Sequence, residues 1–94
     1  MLNQCILVGR VVSIVRDKEH NIITLKIDRY KDENQISYDT VPCRFNESVW
    51  SNEVKEGYLL GVKARVYSDQ DGVICIKGEK MTFISTTKKE NLDE

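Results

Sequence analysis

An alternation of apolar and polar residues recurs in five stretches of this 94-residue chain, and it constrains the fold more than any other feature. In the second stretch, IITLKIDRY, Ile23, Leu25 and Ile27 fall on one face, whereas the polar residues and Tyr30 fall on the other. A period of two predicts a β-strand with one buried and one exposed face. Because the chain is short, the five stretches are expected to form one all-β domain around one small core.

The other strand-like stretches have recognisable boundaries. The first covers residues 3–16 and ends at the polar cluster DKEHN, and the third, ISYDTVPCRF, carries Cys43 and Phe45 on its apolar parity. Pro42 cannot donate a ladder hydrogen bond, so it is expected at a sheet edge or a bulge. The fourth stretch, YLLGVKARVYS, has Val66 on its inward parity and is joined to the fifth, VICIKGEKMTFIS, by the turn DQDG. Gly78 in the fifth stretch is expected to mark a β-bulge.

A short helix is predicted between the third and fourth strands, over the segment NESVWSNEVKEG. Asn46 or Ser48 can cap its N-terminus, and Gly57 is a natural stop. Trp50 and Val54 belong to its narrow apolar stripe. Trp50 is therefore assigned to core or barrel-plug packing rather than to a stacking platform.

The order of these elements predicts the fold class. Five strands hide their edges most completely when the sheet closes into a barrel, and a helix between strands 3 and 4 can plug one open end. This is the order of an OB-fold, a five-stranded Greek-key barrel, here expected over residues 1–85. Residues 86–94 are expected to form a short, disordered polar tail.

Composition and spacing argue against several classes of function. The formal net charge is −1, no apolar run approaches the ~18 residues of a membrane span, and no secretory signal is recognisable, so a cytoplasmic location is expected without a membrane partner. Cys5, Cys43 and Cys75 are widely spaced and are expected to be buried thiols, and His20 is expected in a turn. No catalytic constellation, phosphate loop or metal-ligand cluster is recognisable, so neither an enzyme nor a cofactor is expected.

The charges are distributed unevenly between strands and turns. Acidic residues concentrate in the turns and at the chain end, whereas many basic residues lie inside strands: Arg10, Lys26, Arg44, Lys63, Arg65 and Lys77. Tyr30, Tyr38 and Tyr67 share the outward parity of neighbouring bases. Cations can follow the phosphates of a single-stranded nucleic acid while aromatic rings stack its bases. The same residues can also simply solubilise the sheet and pack across strands, and the pattern alone leaves both readings open.

The stretch CILVGRVV in the first strand combines three environments. Its inward parity, with Cys5, Leu7 and Val11, suits the core, but the outward residues Ile6 and Val8 are also apolar. A second subunit would cover them, so Ile6 and Val8 are predicted at a homo-oligomer interface. Gly9 permits the bend of a short barrel strand. Arg10 then lies where it can meet a phosphate or form a local ion pair.

Four stretches together resemble the bacterial single-stranded DNA-binding protein family. They are MLNQCILVGRVV, ITLKIDR, VKEGYLLGVKARV and IKGEKMTFIS, and in this order they span residues 1–85. The resemblance implies an OB-fold that binds single-stranded DNA without sequence preference in replication, recombination or repair. It also implies a homo-oligomer, a tetramer or a dimer, and no catalysis.

The same resemblance assigns roles to individual residues. Tyr38 falls where the family places a stacking aromatic at the start of strand 3, and Tyr30 lies next to the place of another aromatic. Arg10, Arg29, Lys63 and Arg65 fall at or near basic positions. The residues expected to bind nucleic acid, from the charge pattern and the resemblance together, are Arg10, Lys26, Arg29, Tyr30, Tyr38, Arg44, Lys63, Arg65, Tyr67 and Lys77.

Departures from the family pattern keep a second hypothesis open. The connections between strands 1 and 2 and between strands 2 and 3 are short, and Asp69 and Asp71 stand where the family carries basic residues. The ending KKENLDE lacks the acidic, Pro-Phe-containing tip that recruits other proteins, so no tip-mediated recruitment is expected. The alternative is an OB-fold protein-interaction module, associated with a primosome or a mobile element, with weak or lost DNA binding.

Overall fold

Five strands form a closed barrel in the computed structural model, which describes residues 1–32 and 35–88, with side chains for all of these except 30–32, 35 and 36. The strands run around the barrel in the order β1-β2-β3-β5-β4, and only the β3–β5 pair is parallel. The predicted all-β OB-fold barrel is thereby confirmed. The strands are β1 (Cys5–Arg16), β2 (Asn21–Asp32), β3 (Gln35–Phe45), β4 (Leu59–Ser68) and β5 (Ile74–Ser85).

Strand β1 closes the barrel by changing partners halfway along its length. It pairs with β4 from Cys5 to Arg10 and with β2 from Arg10 to Arg16. A Cβ atom on Gly9, at this change, would lie 2.5 Å from the Lys26 carbonyl oxygen. Glycine is therefore required because the β2 backbone approaches β1 too closely for a side chain.

The core lies inside the barrel and follows the predicted inward parities closely. Val11, Ile23, Leu25, Leu60 and Val62 are fully buried, and Cys5 and Leu7 pack against them. The core also bears on the predictions for the three cysteines and for Val66. All three cysteines are free, with Cys43 and Cys75 buried and Cys5 half-buried. Val66 was expected on the core face but is 38% exposed, because β4 continues past the buried cluster, which ends at Ala64.

The predicted helix between strands 3 and 4 is wrong, because residues 46–58 form a series of turns. The Trp50 N–H reaches the Asn46 carbonyl at 3.1 Å, but the next residues satisfy their polar groups locally. The Ser51 hydroxyl accepts from the Glu53 N–H at 3.3 Å, and the Trp50 indole donates to Asn52 at 3.1 Å. Such side-chain bonds compete with helical ones. The segment still plugs the barrel, since Val54 is buried and Trp50 packs against the core.

Pro42 and the region around Gly78 show how β3 and β5 meet. Pro42 pairs with Thr24 on β2, and pairing with β5 begins only at Cys43, so the predicted edge position is confirmed. The predicted bulge occurs at the next residue, Glu79, which the β4–β5 register skips. Gly78 itself is needed for packing, because the Phe45 ring occupies the space that a Cβ atom would take.

The chain after β5 returns to the barrel rather than leaving it at once. Arg10 donates to the carbonyl oxygen of Thr87 at 3.3 Å, and Lys88 lies beside Gly57. The rest of the predicted polar tail, residues 89–94, lies outside the described residues. Within the described ranges no helix has the length and apolar character needed to cross a membrane.

Candidate nucleic-acid interface

The outer surface of β3, β5 and β4 carries a group of basic side chains. In the register of these strands, Lys77 lies directly between Arg44 on β3 and Arg65 on β4. Two residues further along β4, Lys63 lies opposite Lys80. Like charges directly opposite each other destabilise a sheet, so this arrangement costs folding free energy in the absence of a bound anion.

Few acidic groups offset this charge. Arg65 lies 3.7 Å from the Glu79 carboxylate, and the described residues contain no ion pair for Arg44, Lys63 or Lys77. Glu79 is the residue that the bulge in β5 adds to the outer face. The group as a whole therefore keeps a positive excess, although the chain has a net charge of −1.

A groove with a volume of about 410 Å³ lies over this surface. Arg44, Arg65, Tyr67 and Lys77 line it from strands β3, β4 and β5, and Glu19 and His20 line it from the turn between β1 and β2. Arg44 donates to the Tyr67 hydroxyl at 3.4 Å, and this hydrogen bond is the main cause that raises the pKa of Arg44 above its usual value. An aromatic ring is thus held beside three cations in one groove.

A second aromatic-cationic pair lies on the same outer parity of β3, farther from the groove. The Lys26 ammonium nitrogen is 4.5 Å from the centre of the Tyr38 ring, and Tyr38 is 55% exposed. Tyr38 and Arg44 are six positions apart along the strand, which corresponds to roughly 20 Å. We call the surface formed by these residues the basic-aromatic face, and its members are Lys26, Tyr38, Arg44, Lys63, Arg65, Tyr67 and Lys77.

Three other predicted binding residues have different environments. Arg10 donates to the carbonyl oxygens of Gly57 and Thr87, so its guanidinium holds the segments after β3 and β5 against the barrel. Arg29 lies on the parity opposite to Lys26 and forms an ion pair with Asp39 at 3.2 Å. The side chain of Tyr30 lies outside the described residues. Their roles in nucleic-acid binding stay predictions.

Sequence reasoning did not identify the contribution of the β1–β2 turn. Glu19, His20 and Asn21 line the groove together with Asn46, which follows β3. The predicted position of His20 in a turn is correct, but the sequence did not indicate that His20 also lines the groove. The only available signal was the alternation of strands and turns, and it does not specify which turn folds over which strand.

The turn is ordered by the Asp17 carboxylate. It accepts hydrogen bonds from the backbone N–H groups of Glu19 at 2.8 Å and His20 at 2.7 Å. These bonds hold the pKa of Asp17 below its ordinary value of 3.8. Next to the turn, Arg16 bonds Glu47 at 2.6 Å, and this contact, with a bond from Asn21, lowers the pKa of Glu47. The turn is therefore fixed relative to the segment that follows β3.

The predicted interface residues form a separate, apolar surface. Ile6 is 71% and Val8 47% exposed, and Ile84, the second residue that β5 adds by a register shift, is 50% exposed. Val8 lies opposite Gly61, over which the Ile84 side chain is placed. Lys63 lies opposite Ile6, so the apolar surface borders the basic-aromatic face.

No group of three or more His, Cys, Asp or Glu residues within the described ranges is placed to hold a metal ion. Burial raises the pKa of the Cys43 thiol to about 12, so this thiol is protonated inside the barrel at neutral pH. What the outer surface offers is cations, aromatic rings and hydrogen-bonding side chains.

Comparisons with known proteins support the fold. No protein-family model and no curated protein matches the chain. Among solved structures, the mitochondrial single-stranded DNA-binding protein Rim1 of S. cerevisiae superimposes with a TM-score of 0.65 at 13% identity, covering 92% of this chain and 97% of that one. A small single-stranded DNA-binding protein of Mycoplasma pneumoniae gives 0.65 at 14% identity, covering 93% and 99%.

A third structural neighbour is not named as a single-stranded DNA-binding protein. The dimeric N-terminal domain of PriB from Thermoanaerobacter tencongensis gives a TM-score of 0.56 at 9% identity, covering 87% of this chain and 96% of that one. At such identities the likeness establishes the fold rather than the activity. The fold that the sequence resemblance implied is thereby confirmed, and this chain has the OB-fold barrel found in single-stranded DNA-binding proteins.

Proposed function

We propose that this protein binds single-stranded DNA through its basic-aromatic face, without a strict requirement for sequence. The observation that carries the proposal is the row of cations on three adjacent strands, in which Lys77 directly opposes both Arg44 and Arg65. A polyanion relieves this repulsion. A folded chain that binds no anion there has no evident gain from placing these charges side by side.

Aromatic rings at both ends of the face favour a single strand over a duplex. Tyr67 lies in the groove, and Tyr38 lies roughly 20 Å along β3 from Arg44, which also lines the groove. Bases that are free to leave the stack can lie on such rings, and each contact stabilises the complex by roughly 1–3 kcal/mol. Duplex DNA offers no free base faces to these rings, so we expect it to bind more weakly.

The proposal also includes a cellular setting. Two structural neighbours are named as single-stranded DNA-binding proteins, and we extend the proposed binding to a role in replication, recombination or repair. The proposal includes a cytoplasmic location and no catalytic step. Phosphate contacts and base stacking account for the binding without any bond being broken.

Self-association is the second part of the proposal. The apolar surface of Ile6, Val8 and Ile84 would be covered by a second copy of the chain, in a dimer or a tetramer. Mass by light scattering tests this part, and Ile6→Glu is expected to shift an oligomer towards the monomer. Ile74→Glu is the matched control, because Ile74 is 69% exposed at the other end of the barrel. A monomeric wild-type protein would contradict the proposal.

A protein-interaction module is the alternative function, and one feature favours it. Val66, Val73 and Ile74 are exposed at the end of the barrel where β4 and β5 meet. The turn between these strands carries Asp69 and Asp71, which repel phosphate. An apolar and acidic end of this kind suits a protein partner better than DNA.

Fluorescence anisotropy of labelled oligo(dT) separates the two functions. We expect Tyr38→Ala to weaken binding through lost stacking, and Lys63→Ala to weaken it while reducing its salt dependence. Ile74→Glu should leave the affinity nearly unchanged, since Ile74 lies outside the basic-aromatic face. Absence of binding at low salt, or equal affinity of all variants, would favour the interaction module.

A further inference from the structure

The groove has two chemically different sides. Three cations lie on the strand side, namely Arg44, Arg65 and Lys77, whereas the turn side presents Glu19 together with His20. A phosphate group is attracted to the first side and repelled by the second. A nucleotide in this groove would therefore place its phosphate over the strands and its base towards the turn.

Glu19 is available to a ligand. The turn that carries it is fixed by the Asp17 carboxylate, which accepts its backbone N–H at 2.8 Å. The Glu19 carboxylate forms no hydrogen bond or ion pair with any residue in the described ranges, despite the cations across the groove. The neighbouring Asn21 differs, because Arg16 donates to its oxygen at 2.8 Å and its amide nitrogen is bonded to Glu47.

We propose that Glu19 gives this groove a preference for bases that carry an exocyclic amino group. The inference rests on the proposed function and refines it at one nucleotide position. An ionised carboxylate only accepts hydrogen bonds, so it can accept from the N4 amino group of cytosine. Uracil and thymine present the O4 carbonyl at the same place, and two acceptors facing each other are unfavourable.

Oligo(dC) and oligo(dU) of equal length give the sharpest comparison, because their rings differ only at position 4 and the adjoining N3. Anisotropy titrations of both labelled oligonucleotides at slightly alkaline pH and low salt measure the two dissociation constants. We expect wild-type protein to bind oligo(dC) about threefold to tenfold more tightly, as one charge-assisted hydrogen bond allows. Glu19→Gln should remove most of this ratio, because an amide can both accept and donate.

Glu53→Gln is the matched control. Glu53 is exposed outside the groove, and the substitution removes the same charge. Glu53→Gln should strengthen binding of both oligonucleotides slightly and equally, because it removes one negative charge, whereas only Glu19→Gln should change the ratio. Equal binding of oligo(dC) and oligo(dU) by wild-type protein would overturn this inference and leave the proposed function standing. Failure to bind either oligonucleotide would overturn both.

Discussion

The substitution Lys77→Gln tests whether the like charges on the basic-aromatic face lower the free energy of unfolding. The residue lies on β5 directly between Arg44 and Arg65, so Lys77→Gln removes two like-charge pairs at once. Each such pair costs roughly 0.2–1 kcal/mol, and part of the gain is offset by lost contacts of the lysine stem. We expect a net stabilisation of about 0.5–1 kcal/mol, which corresponds to a rise in Tm of about 3–6 °C.

The same substitution should weaken DNA binding. Removal of one cation that contacts phosphate is expected to reduce the salt dependence of binding to single strands by about 0.7 in the log-log slope. Thermal unfolding followed by circular dichroism gives the stability, and anisotropy of labelled oligo(dT) gives the affinity. The expected effects on stability and on affinity therefore have opposite signs: the variant is more stable but binds DNA less tightly.

Lys55→Gln provides the control for charge alone. Lys55 is exposed in the segment between β3 and β4 and has no basic cross-strand neighbour. It should change Tm and affinity less than Lys77→Gln does. A lower Tm for Lys77→Gln than for Lys55→Gln, or an unchanged affinity, would refute the interpretation of the charged row.

Other predictions concern packing and pH. Gly78→Ala should destabilise the barrel by about 2 kcal/mol, because the new Cβ atom meets the Phe45 ring. Gly61→Ala should lower the free energy of unfolding by less, since the closest contact of its Cβ atom is the flexible end of a side chain at 3.2 Å. Denaturant titrations compare the two variants. Asp17 has a lower pKa in the folded state than when unfolded, so its stabilisation exists above about pH 4 and is lost as the pH falls through the folded value. Asp17→Asn should therefore flatten the decline of Tm as the pH falls below about 4, and an unchanged decline would contradict this interpretation.

The strands and the core could be predicted because burial imposes a period of two. The buried residues Ile23 and Leu25 alternate with half-buried residues on β2, and the same rule located the inward side of β4 up to Ala64. The turns that follow β3 could not be predicted, because the sequence pattern of this segment is typical of a short helix. Its apolar stripe was correct, since Val54 is buried, but Ser51 and Asn52 satisfy neighbouring polar groups and end the first turn.

The candidate site was likewise predictable only in part from the sequence. The outward parity of Arg44, Arg65 and Lys77 follows from the strand pattern, but their position side by side depends on the β3–β5 and β4–β5 registers. Bulges shift the β4–β5 register, and a pattern of alternation does not fix where bulges occur. The partners of Arg10 were equally hidden, because the Gly57 and Thr87 carbonyls lie 47 and 77 residues away in the chain.

The salt dependence of oligo(dT) binding to the wild-type protein tests the central claim most directly. If four to five phosphates contact the basic-aromatic face, the plot of log K against log salt should have a slope of about −3, at about −0.7 for each contact. A slope near zero, or no binding at about 20 mM salt, would contradict the claim that this row of cations binds the backbone of single-stranded DNA.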